Sequence, residues 1–108
     1  MRKVGYRQMA VVMTMRWVGV TPQQYDLVRA AVRWEEDVPA GAVLHAAAFD
    51  GQAMHVTDVW ESQAHFERFF TERLATAIKE AGIEGRPETT FTPLHRRFVA
   101  PGVSGGAS

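Results

Sequence analysis

The 108-residue chain has room for one hydrophobic core, and its 46% hydrophobic and 22% charged residues argue against a disordered chain and a membrane protein. Its twelve basic and twelve acidic side chains cancel, which argues against binding to the phosphates of nucleic acid. The absence of cysteine excludes disulfides, thiolate nucleophiles and sulfur-ligated metals. The apolar stretch from Met9 to Met15 is too short to cross a bilayer, so we expect a cytoplasmic protein with no membrane partner.

The chain divides into a lead, one domain and a tail. Residues 1–7 carry no strong pattern beyond three basic side chains, and residues 100–108 are rich in Gly and Ser, so we expect both segments to be flexible. The single domain is predicted over residues 8–99.

The first two predicted elements are a strand over residues 8–17 and a helix after it. The strand segment is rich in Val, Met and Trp and carries no turn signal, so we expect it to be buried. Thr21, Pro22 and Gln24 form a capping-box pattern that starts the helix. Its apolar side carries residues at helical spacing, namely Tyr25, Val28, Ala31 and Val32. Residues 37–41 contain the Pro and Gly that end it after about four turns.

Two further strands, residues 44–50 and 54–60, flank Asp50-Gly51, a pair that favours a two-residue hairpin turn. That turn places Val43, His45, Ala47, Met54, Val56, Asp58 and Trp60 on one face, and Leu44, Ala46, Ala48, His55, Thr57 and Val59 on the other. Neither face is polar, and two helices cover only one side of a four-stranded sheet. We therefore expect the other side to pair with a second copy in a homodimer. The alternative is a monomer with a mildly apolar sheet face.

The second predicted helix is the clearest in the sequence. Ser62 can cap its start and Gly82 can end it. Between them apolar residues recur at the helical period: Phe66, Phe69, Phe70, Leu74, Ala77, Ile78 and Ala81. A last strand is predicted over residues 88–99, where Pro93 weakens it locally or places it at an edge. The element order β-α-β-β-α-β predicts an α+β fold.

The segment Met54-His55-Val56-Thr57-Asp58-Val59-Trp60-Glu61-Ser62, which leads into a Phe-rich helix, carries a family resemblance. Over residues 8–99 the chain resembles the dimeric α/β-barrel superfamily, and within it the antibiotic-biosynthesis-monooxygenase-like proteins. The resemblance implies a ferredoxin-like protomer with a four-stranded antiparallel sheet and two helices on one face. It further implies face-to-face pairing of two sheets and a pocket between sheet and helices. Members include cofactor-independent oxygenases acting on aromatic polyketides, haem-degrading enzymes, isomerases and cyclases.

The chain departs from two branches of that superfamily. The haem-degrading and anthrone-oxidising branches use an Asn on the first strand with a Trp and, for haem, a His on the second helix. This sequence contains no Asn. Trp60 matches the strand-three Trp, but His65 lies only one turn into the second helix, where the later inward positions are Phe69, Phe70 and Leu74. We therefore expect neither haem chemistry nor the Asn-dependent oxygenase mechanism.

Histidine is the side chain that titrates near neutral pH, so the candidate catalytic residues start from the histidines. In the two-residue-turn register, His45 lies opposite Val56 and diagonal to Asp58, a pair that would make His45 a general base. The alternative is a buried His satisfied by a carboxylate, with no substrate. His55, on the other face, could line the pocket or the dimer interface.

His95 and Arg97 are further candidates near the end of the last strand. His95, followed by Arg96 and Arg97, could hold an anionic or enolic oxygen, because arginine presents a fixed fork of donors. The alternative is a solvated strand end.

The predicted substrate pocket is apolar and aromatic. Its expected lining residues are Trp17, Trp60, Phe66 and Phe70, with Arg97 at its polar end. The alternative is that the aromatic residues only fill the core. His45, His55 and His65 fall on different faces or elements, and no Gly-rich phosphate loop is present, so we expect no metal and no bound cofactor.

These observations favour a small-molecule enzyme that works without a bound cofactor on a hydrophobic, enolisable or phenolic, polyketide-like substrate. Proton abstraction by a pocket histidine would create a carbanion that reacts with dioxygen, cyclises or isomerises. The rival hypothesis is a non-catalytic ligand-binding or stress-associated dimer on the same scaffold.

Overall fold

Within residues 9–103, four strands and two helical stretches follow one another in the order β-α-β-β-α-β. The computed structural model describes residues 9–103 and residue 106. The elements are β1 (Val11–Val18), α1 (Pro22–Val32), β2 (Ala42–Phe49), β3 (Ala53–Trp60), α2 (Gln63–Phe69), a π segment (Phe70–Leu74), α3 (Ala75–Glu80) and β4 (Glu88–Pro93). The predicted lead, residues 1–7, lies outside the described residues, as do residues 104, 105, 107 and 108 of the predicted tail.

The strands form one antiparallel sheet in the order β2-β3-β1-β4. Met13 in β1 lies between Asp58 in β3 and Phe91 in β4, so the first strand of the chain lies inside the sheet and β2 and β4 form its edges. The predicted α+β, ferredoxin-like fold is confirmed. No helix within the described residues has the length and apolar character needed to cross a bilayer.

The first strand is shorter than predicted and buried at every second residue only. It begins at Val11 rather than residue 8, and Met13, Met15 and Trp17 are buried while Thr14 and Val18 are exposed. Successive side chains of a strand point to opposite sides, and only one side of this sheet is covered by helices.

The start of α1 is as predicted, whereas its end is not. The Thr21 hydroxyl accepts a hydrogen bond from the Gln24 amide at 3.1 Å, and the Gln24 side-chain oxygen accepts one from the Thr21 amide at 3.1 Å. The helix has 11 residues and ends at Val32, because Arg33 adopts a left-handed conformation with φ 59°. The predicted four turns were too long, and Ala31 is exposed rather than on the buried side.

The hairpin between β2 and β3 has a longer loop than the predicted two-residue turn. Phe49 and Met54 form the last pair of β2 and β3, so four residues, 50–53, separate the paired positions, the last of them already in β3. The Asp50 carboxylate accepts hydrogen bonds from the amides of Gln52 and Ala53, both at 2.9 Å, which holds this wider loop. The register is thus shifted by two residues relative to the prediction. Because side chains alternate with a period of two, the shift leaves the residues from Leu44 to Phe49 on their predicted faces, whereas a β-bulge between Ala42 and Leu44 interrupts the alternation at the start of β2.

The second helical stretch starts at its predicted cap but is not one continuous α-helix. The Ser62 hydroxyl accepts a hydrogen bond from the His65 amide at 3.2 Å. The π segment then interrupts the helix, and Gly82, with φ 78°, follows α3 as predicted. Phe70 and Leu74, the first and last residues of the π segment, line the cavity described below.

The last strand ends at Pro93 rather than at residue 99. Proline has no amide hydrogen to donate, and the final link to β1 is the hydrogen bond from the Leu94 amide to the Ala10 carbonyl at 2.8 Å. Residues 94–100 follow without regular secondary structure.

All helices pack on one side of the sheet, and the core lies between the two layers. Its buried side chains are Met13, Met15, Trp17, Val20, Val28, Val32, Met54, Val56, Trp60, Phe66, Phe69 and Ala77. The opposite side of the sheet is more polar than the hairpin alone indicates, because Thr57, Thr14 and Thr90 lie side by side across β3, β1 and β4, and all three are exposed.

Candidate active site

A cavity of about 660 Å³ lies between the sheet and the helices. Most of its lining is apolar. The aromatic residues that line it are Trp17, Tyr25, Trp34, Trp60, Phe66, Phe69 and Phe70, and the methionines are Met13, Met15 and Met54. Four residues of the predicted substrate pocket, Trp17, Trp60, Phe66 and Phe70, are among those that line this cavity. Val38, Val43 and Leu44 also line the cavity and are exposed, so it opens to solvent beside β2.

His45 is one of the polar residues that line this cavity, and Asp58 is buried beside it. They pair directly across β2 and β3, and His45 Nδ1 lies 2.7 Å from Asp58 Oδ1. The predicted register, with His45 opposite Val56 and diagonal to Asp58, was wrong, because the hairpin is shifted by two residues. The predicted contact between His45 and Asp58 is nevertheless present. Asp58 is only 5% exposed, whereas the His45 side chain is 34% exposed and lines the cavity.

Helix α1 adds Tyr25 to this pair. The Tyr25 hydroxyl lies 2.7 Å from His45 Nε2, and the second carboxylate oxygen of Asp58 accepts a hydrogen bond from Trp60 Nε1 at 2.9 Å. The capping box at Thr21 fixes where the helix begins, and Tyr25 follows one turn later, facing β2. We call Tyr25, His45 and Asp58 the triad.

The bonding pattern assigns the protons of the triad. An ionised carboxylate only accepts hydrogen bonds, and Asp58 receives one from Trp60 and one from His45. His45 Nδ1 therefore carries a hydrogen. In the neutral imidazole Nε2 is then the acceptor, and the Tyr25 hydroxyl donates to it. Such a carboxylate orients the ring and stabilises the imidazolium that forms when the ring takes up a proton.

Aromatic side chains surround the outer end of the triad. Trp34 packs edge-on against both rings, with centroids 5.7 Å from Tyr25 and 5.3 Å from His45, and Phe49 lies 5.9 Å from Tyr25. Burial, with a second contribution from the negative charge of Glu35, raises the pKa of Tyr25 to about 12. Tyr25 is therefore a neutral phenol at physiological pH.

His55 lies on the opposite side of the sheet, away from the cavity. Its Nε2 is 2.8 Å from the Asp50 carboxylate in the hairpin loop. The amide of Gln52, then His55, then the amide of Ala53 hold the pKa of Asp50 below its usual range. The structure thus connects His55 to the hairpin loop, and does not bring it to the pocket.

His95 and Arg97 are not brought to the cavity either. Both follow the end of β4 and are exposed, whereas the neighbouring Val99 and Val103 do line the cavity. His65 contacts the Ser62 hydroxyl through Nδ1 at 2.7 Å at the start of α2. Within the described residues, no group of three or more His, Cys, Asp or Glu side chains is placed to hold a metal ion.

Tyr25 is the site residue that the sequence did not single out. Helical spacing predicts Tyr25 on the apolar side of α1, where a tyrosine hydroxyl needs a hydrogen-bond partner once it is buried. A tyrosine at such a position, in a sequence whose neighbouring strand presents a histidine to the same side, is the signal that could have found it.

No protein-family model matches the sequence, and no curated protein matches it. Solved structures do share its fold. A protein of unknown function from Nitrosomonas europaea, NE2512, is 16% identical with a TM-score of 0.63, covering 88% of this chain and 98% of that one. The ActVA-Orf6 monooxygenase of Streptomyces coelicolor, solved with nanaomycin D, is 21% identical with a TM-score of 0.57, covering 92% and 99%.

The cofactor-independent oxygenase SnoaB of Streptomyces nogalater, solved as a point mutant, is a third such structure. It is 14% identical with a TM-score of 0.56, covering 87% of this chain and 98% of that one. At these identities the similarity establishes the fold. The predicted resemblance to antibiotic-biosynthesis-monooxygenase-like proteins is thus confirmed at the level of the fold.

Proposed function

We propose that this protein is a small-molecule enzyme that works without a bound cofactor on a hydrophobic, enolisable or phenolic, polyketide-like substrate. The observation that carries the proposal is the triad, a carboxylate-oriented imidazole bonded to a phenol, at the wall of an apolar cavity. A few polar groups that converge on a largely apolar pocket are the usual arrangement of a small-molecule site.

The triad supplies general-base chemistry. A C–H bond that is conjugated with a carbonyl, directly or through an aromatic ring, loses its proton to the triad, and the electron pair is delocalised onto the carbonyl oxygen as an enolate. Asp58 stabilises the imidazolium that results, so the charge formed inside the protein is paired. Positioned general bases typically contribute about 10²–10⁴-fold to a rate.

Two outcomes are open to such an enolate. In an oxygenase, a methylene group and one dioxygen molecule give a carbonyl group and water. In a cyclase or isomerase, the same carbanion attacks within the substrate or is reprotonated elsewhere. The related fold of two enzymes described as monooxygenase or cofactor-independent oxygenase supports the first outcome by analogy.

The lining of the cavity supports a flat aromatic ligand. Volumes of about 300–1,000 Å³ are typical of small-molecule sites, and 660 Å³ falls within that range. Aromatic rings prefer offset or edge contacts with other rings, and Trp60, Phe66 and Phe69 already pack this way in the wall. Methionine side chains adapt to the shape of a ligand.

One observation favours a non-catalytic ligand-binding or stress-associated protein instead. Both ring nitrogens of His45 are already hydrogen-bonded within the protein, as in a histidine that has only a structural role. Binding and turnover therefore have to be measured separately.

We further propose a homodimer formed through the sheet side opposite the helices. Residues of four strands are exposed there, including Ala46, Thr57, Thr14 and Thr90. A second copy is the simplest partner that covers a sheet side of this size.

The test uses anthrone, a tricyclic ketone with an acidic methylene group, and 2-naphthol, a stable phenol that resembles an enol. All three tryptophans of the chain line the cavity, so saturable quenching of tryptophan fluorescence by 2-naphthol reports binding. Exchange of the anthrone methylene protons in deuterated buffer, followed by NMR, reports proton abstraction. An oxygen electrode then separates oxygenase from isomerase chemistry.

The enzyme proposal predicts binding together with exchange above the protein-free rate. Binding without exchange would support the rival, a ligand-binding protein. If the protein shows no binding and no exchange, both the enzyme hypothesis and the ligand-binding hypothesis are contradicted.

A further inference from the structure

We infer that Tyr25, rather than His45, is the residue of the triad that contacts the substrate, and that it passes the substrate's proton on to His45. The inference rests on the proposed function and deepens it, because it names the catalytic group and the order of proton transfer.

The hydrogen bonds within the triad leave the Tyr25 oxygen as the atom that can still accept a proton from a ligand. His45 Nδ1 is bound to Asp58 and Nε2 to Tyr25, so neither nitrogen is open to a ligand. Both carboxylate oxygens of Asp58 accept bonds inside the wall. The Tyr25 oxygen uses its hydrogen toward His45, and a hydroxyl keeps two acceptor lone pairs. A proton that enters the triad therefore enters at Tyr25.

The transfer balances without any co-reactant. The substrate C–H bond breaks, its proton bonds to the Tyr25 oxygen, and the electron pair stays on the substrate as an enolate. At the same time the original Tyr25 hydrogen moves to His45 Nε2. The imidazolium donates its Nδ1–H to Asp58, so one negative charge has formed on the substrate and one positive charge on His45.

The environment of Tyr25 favours this relay over a tyrosinate base. Burial and the charge of Glu35, which also lines the cavity, raise the pKa of Tyr25 to about 12. A preformed tyrosinate is therefore disfavoured. The relay avoids it, because Tyr25 is a neutral phenol before and after the transfer.

The position of the triad also orients the substrate. Trp34 lines the cavity and packs against the rings of both Tyr25 and His45. A flat substrate that contacts Trp34 would present its edge to the Tyr25 oxygen beside the solvent opening at Val43 and Leu44. The acidic C–H is thus expected at the rim of the ring system rather than at its buried end.

The test compares Tyr25→Phe with the parent protein and with His45→Gln in the anthrone exchange assay. The phenylalanine keeps the ring and its contacts and removes only the relaying oxygen. We expect exchange to fall by about 10²–10⁴-fold in both variants, as for the loss of a general base. Binding of 2-naphthol should weaken by only about 3–10-fold, the cost of one hydrogen bond.

The double variant Tyr25→Phe/His45→Gln is the matched control. Residues that act in series are not additive, so the double variant should exchange no more slowly than either single variant. Urea unfolding of each variant shows that it is folded.

Two results would overturn the inference. If Tyr25→Phe exchanges anthrone as fast as the parent or faster, while His45→Gln is slow, His45 takes the proton directly and Tyr25 only covers it; the proposed function would then stand. If the parent protein itself catalyses no exchange, the proposed function fails and the relay fails with it.

Discussion

Asp58 shows at the scale of one residue how the sheet supports the site. A carboxylate that is 5% exposed persists only when its oxygens are bonded, and here the two oxygens accept from His45 and Trp60. The same pairing that stabilises the buried charge orients the imidazole. The stability of the fold and the orientation of the His45 ring therefore both depend on the Asp58 carboxylate.

Replacing Asp58 by Asn should destabilise the fold. The amide has one oxygen, so its NH₂ group faces one of the two N–H donors and leaves that donor unsatisfied. We expect a loss of about 1–3 kcal/mol in the free energy of unfolding, measured by urea denaturation. Asp26→Asn is the control, because that side chain is 66% exposed. Equal, small losses in the two variants would show that the carboxylate is not required in the wall.

Tyr25 should make stability depend on pH in the alkaline range. Its pKa is raised to about 12 in the folded protein, whereas an unfolded chain ionises tyrosine near 10. The stabilisation of the fold by neutral Tyr25 is complete at pH values below the pKa of the unfolded chain. It is lost as the pH rises from there through the pKa of the folded protein. Urea midpoints of the parent should therefore fall more steeply above about pH 10 than those of Tyr25→Phe. If the urea midpoints of the parent and of Tyr25→Phe fall equally with rising pH, the burial of Tyr25 is contradicted.

The sequence predicted part of the triad and missed the rest for a physical reason. Alternation along β2 and β3 placed His45 and Asp58 on one side of the sheet, because the period of a strand is local information. The partner of Tyr25 depends on how α1 crosses the sheet. That placement is set by tertiary packing, which helical periodicity does not contain.

At the scale of elements, two irregularities escaped the sequence patterns. The Asp50 side chain caps its own loop and widens the hairpin, where the Asp-Gly pair alone favours a tight turn. The π segment adds a wide turn inside an otherwise regular amphipathic pattern. Arg73 within it donates to the carbonyls of Val32 and Asp37, so its register is tied to the end of α1.

Gly41 tests how closely the start of β2 approaches α2. Gly41 and Gly19 both have positive φ, 85° and 88°, but a side chain on Gly41 would collide with the ring of His65, whereas Gly19 faces open space. Alanine at either site costs about 1–2 kcal/mol from its backbone conformation. Gly41→Ala should lose about 1–3 kcal/mol more in urea unfolding, because of the overlap. If Gly41→Ala and Gly19→Ala lower the free energy of unfolding equally, the start of β2 can move away from α2 without cost, contrary to this prediction.

At the scale of the whole molecule, the two sides of the sheet have separate roles. One side carries the cavity and the triad, and the other is left exposed by a chain with only two helical stretches among its described residues. The fold class followed from element order and turn signals. The composition of the exposed side did not follow from the hairpin alone, because Thr14 and Thr90 come from strands at opposite ends of the chain.

The exposed side predicts an oligomeric state. Light scattering on the parent protein should give about twice the chain mass of 12.0 kDa. Thr57→Arg places a charge in the middle of that side and should shift the protein toward monomer. Gln23→Arg, on the exposed surface of α1, adds the same charge and should not. A parent protein that stays monomeric at micromolar concentration would contradict the proposed dimer.

The central claim, that the triad transfers a substrate proton in the cavity, is tested most directly by comparing anthrone methylene exchange in the parent and in His45→Gln. Glutamine keeps hydrogen bonding at that position and removes the basic nitrogen. Exchange should slow by about 10²–10⁴-fold while 2-naphthol still binds. His55→Gln and His95→Gln, whose side chains do not line the cavity, should exchange like the parent. Full exchange by His45→Gln, with loss in either of the other two variants, would contradict the claim.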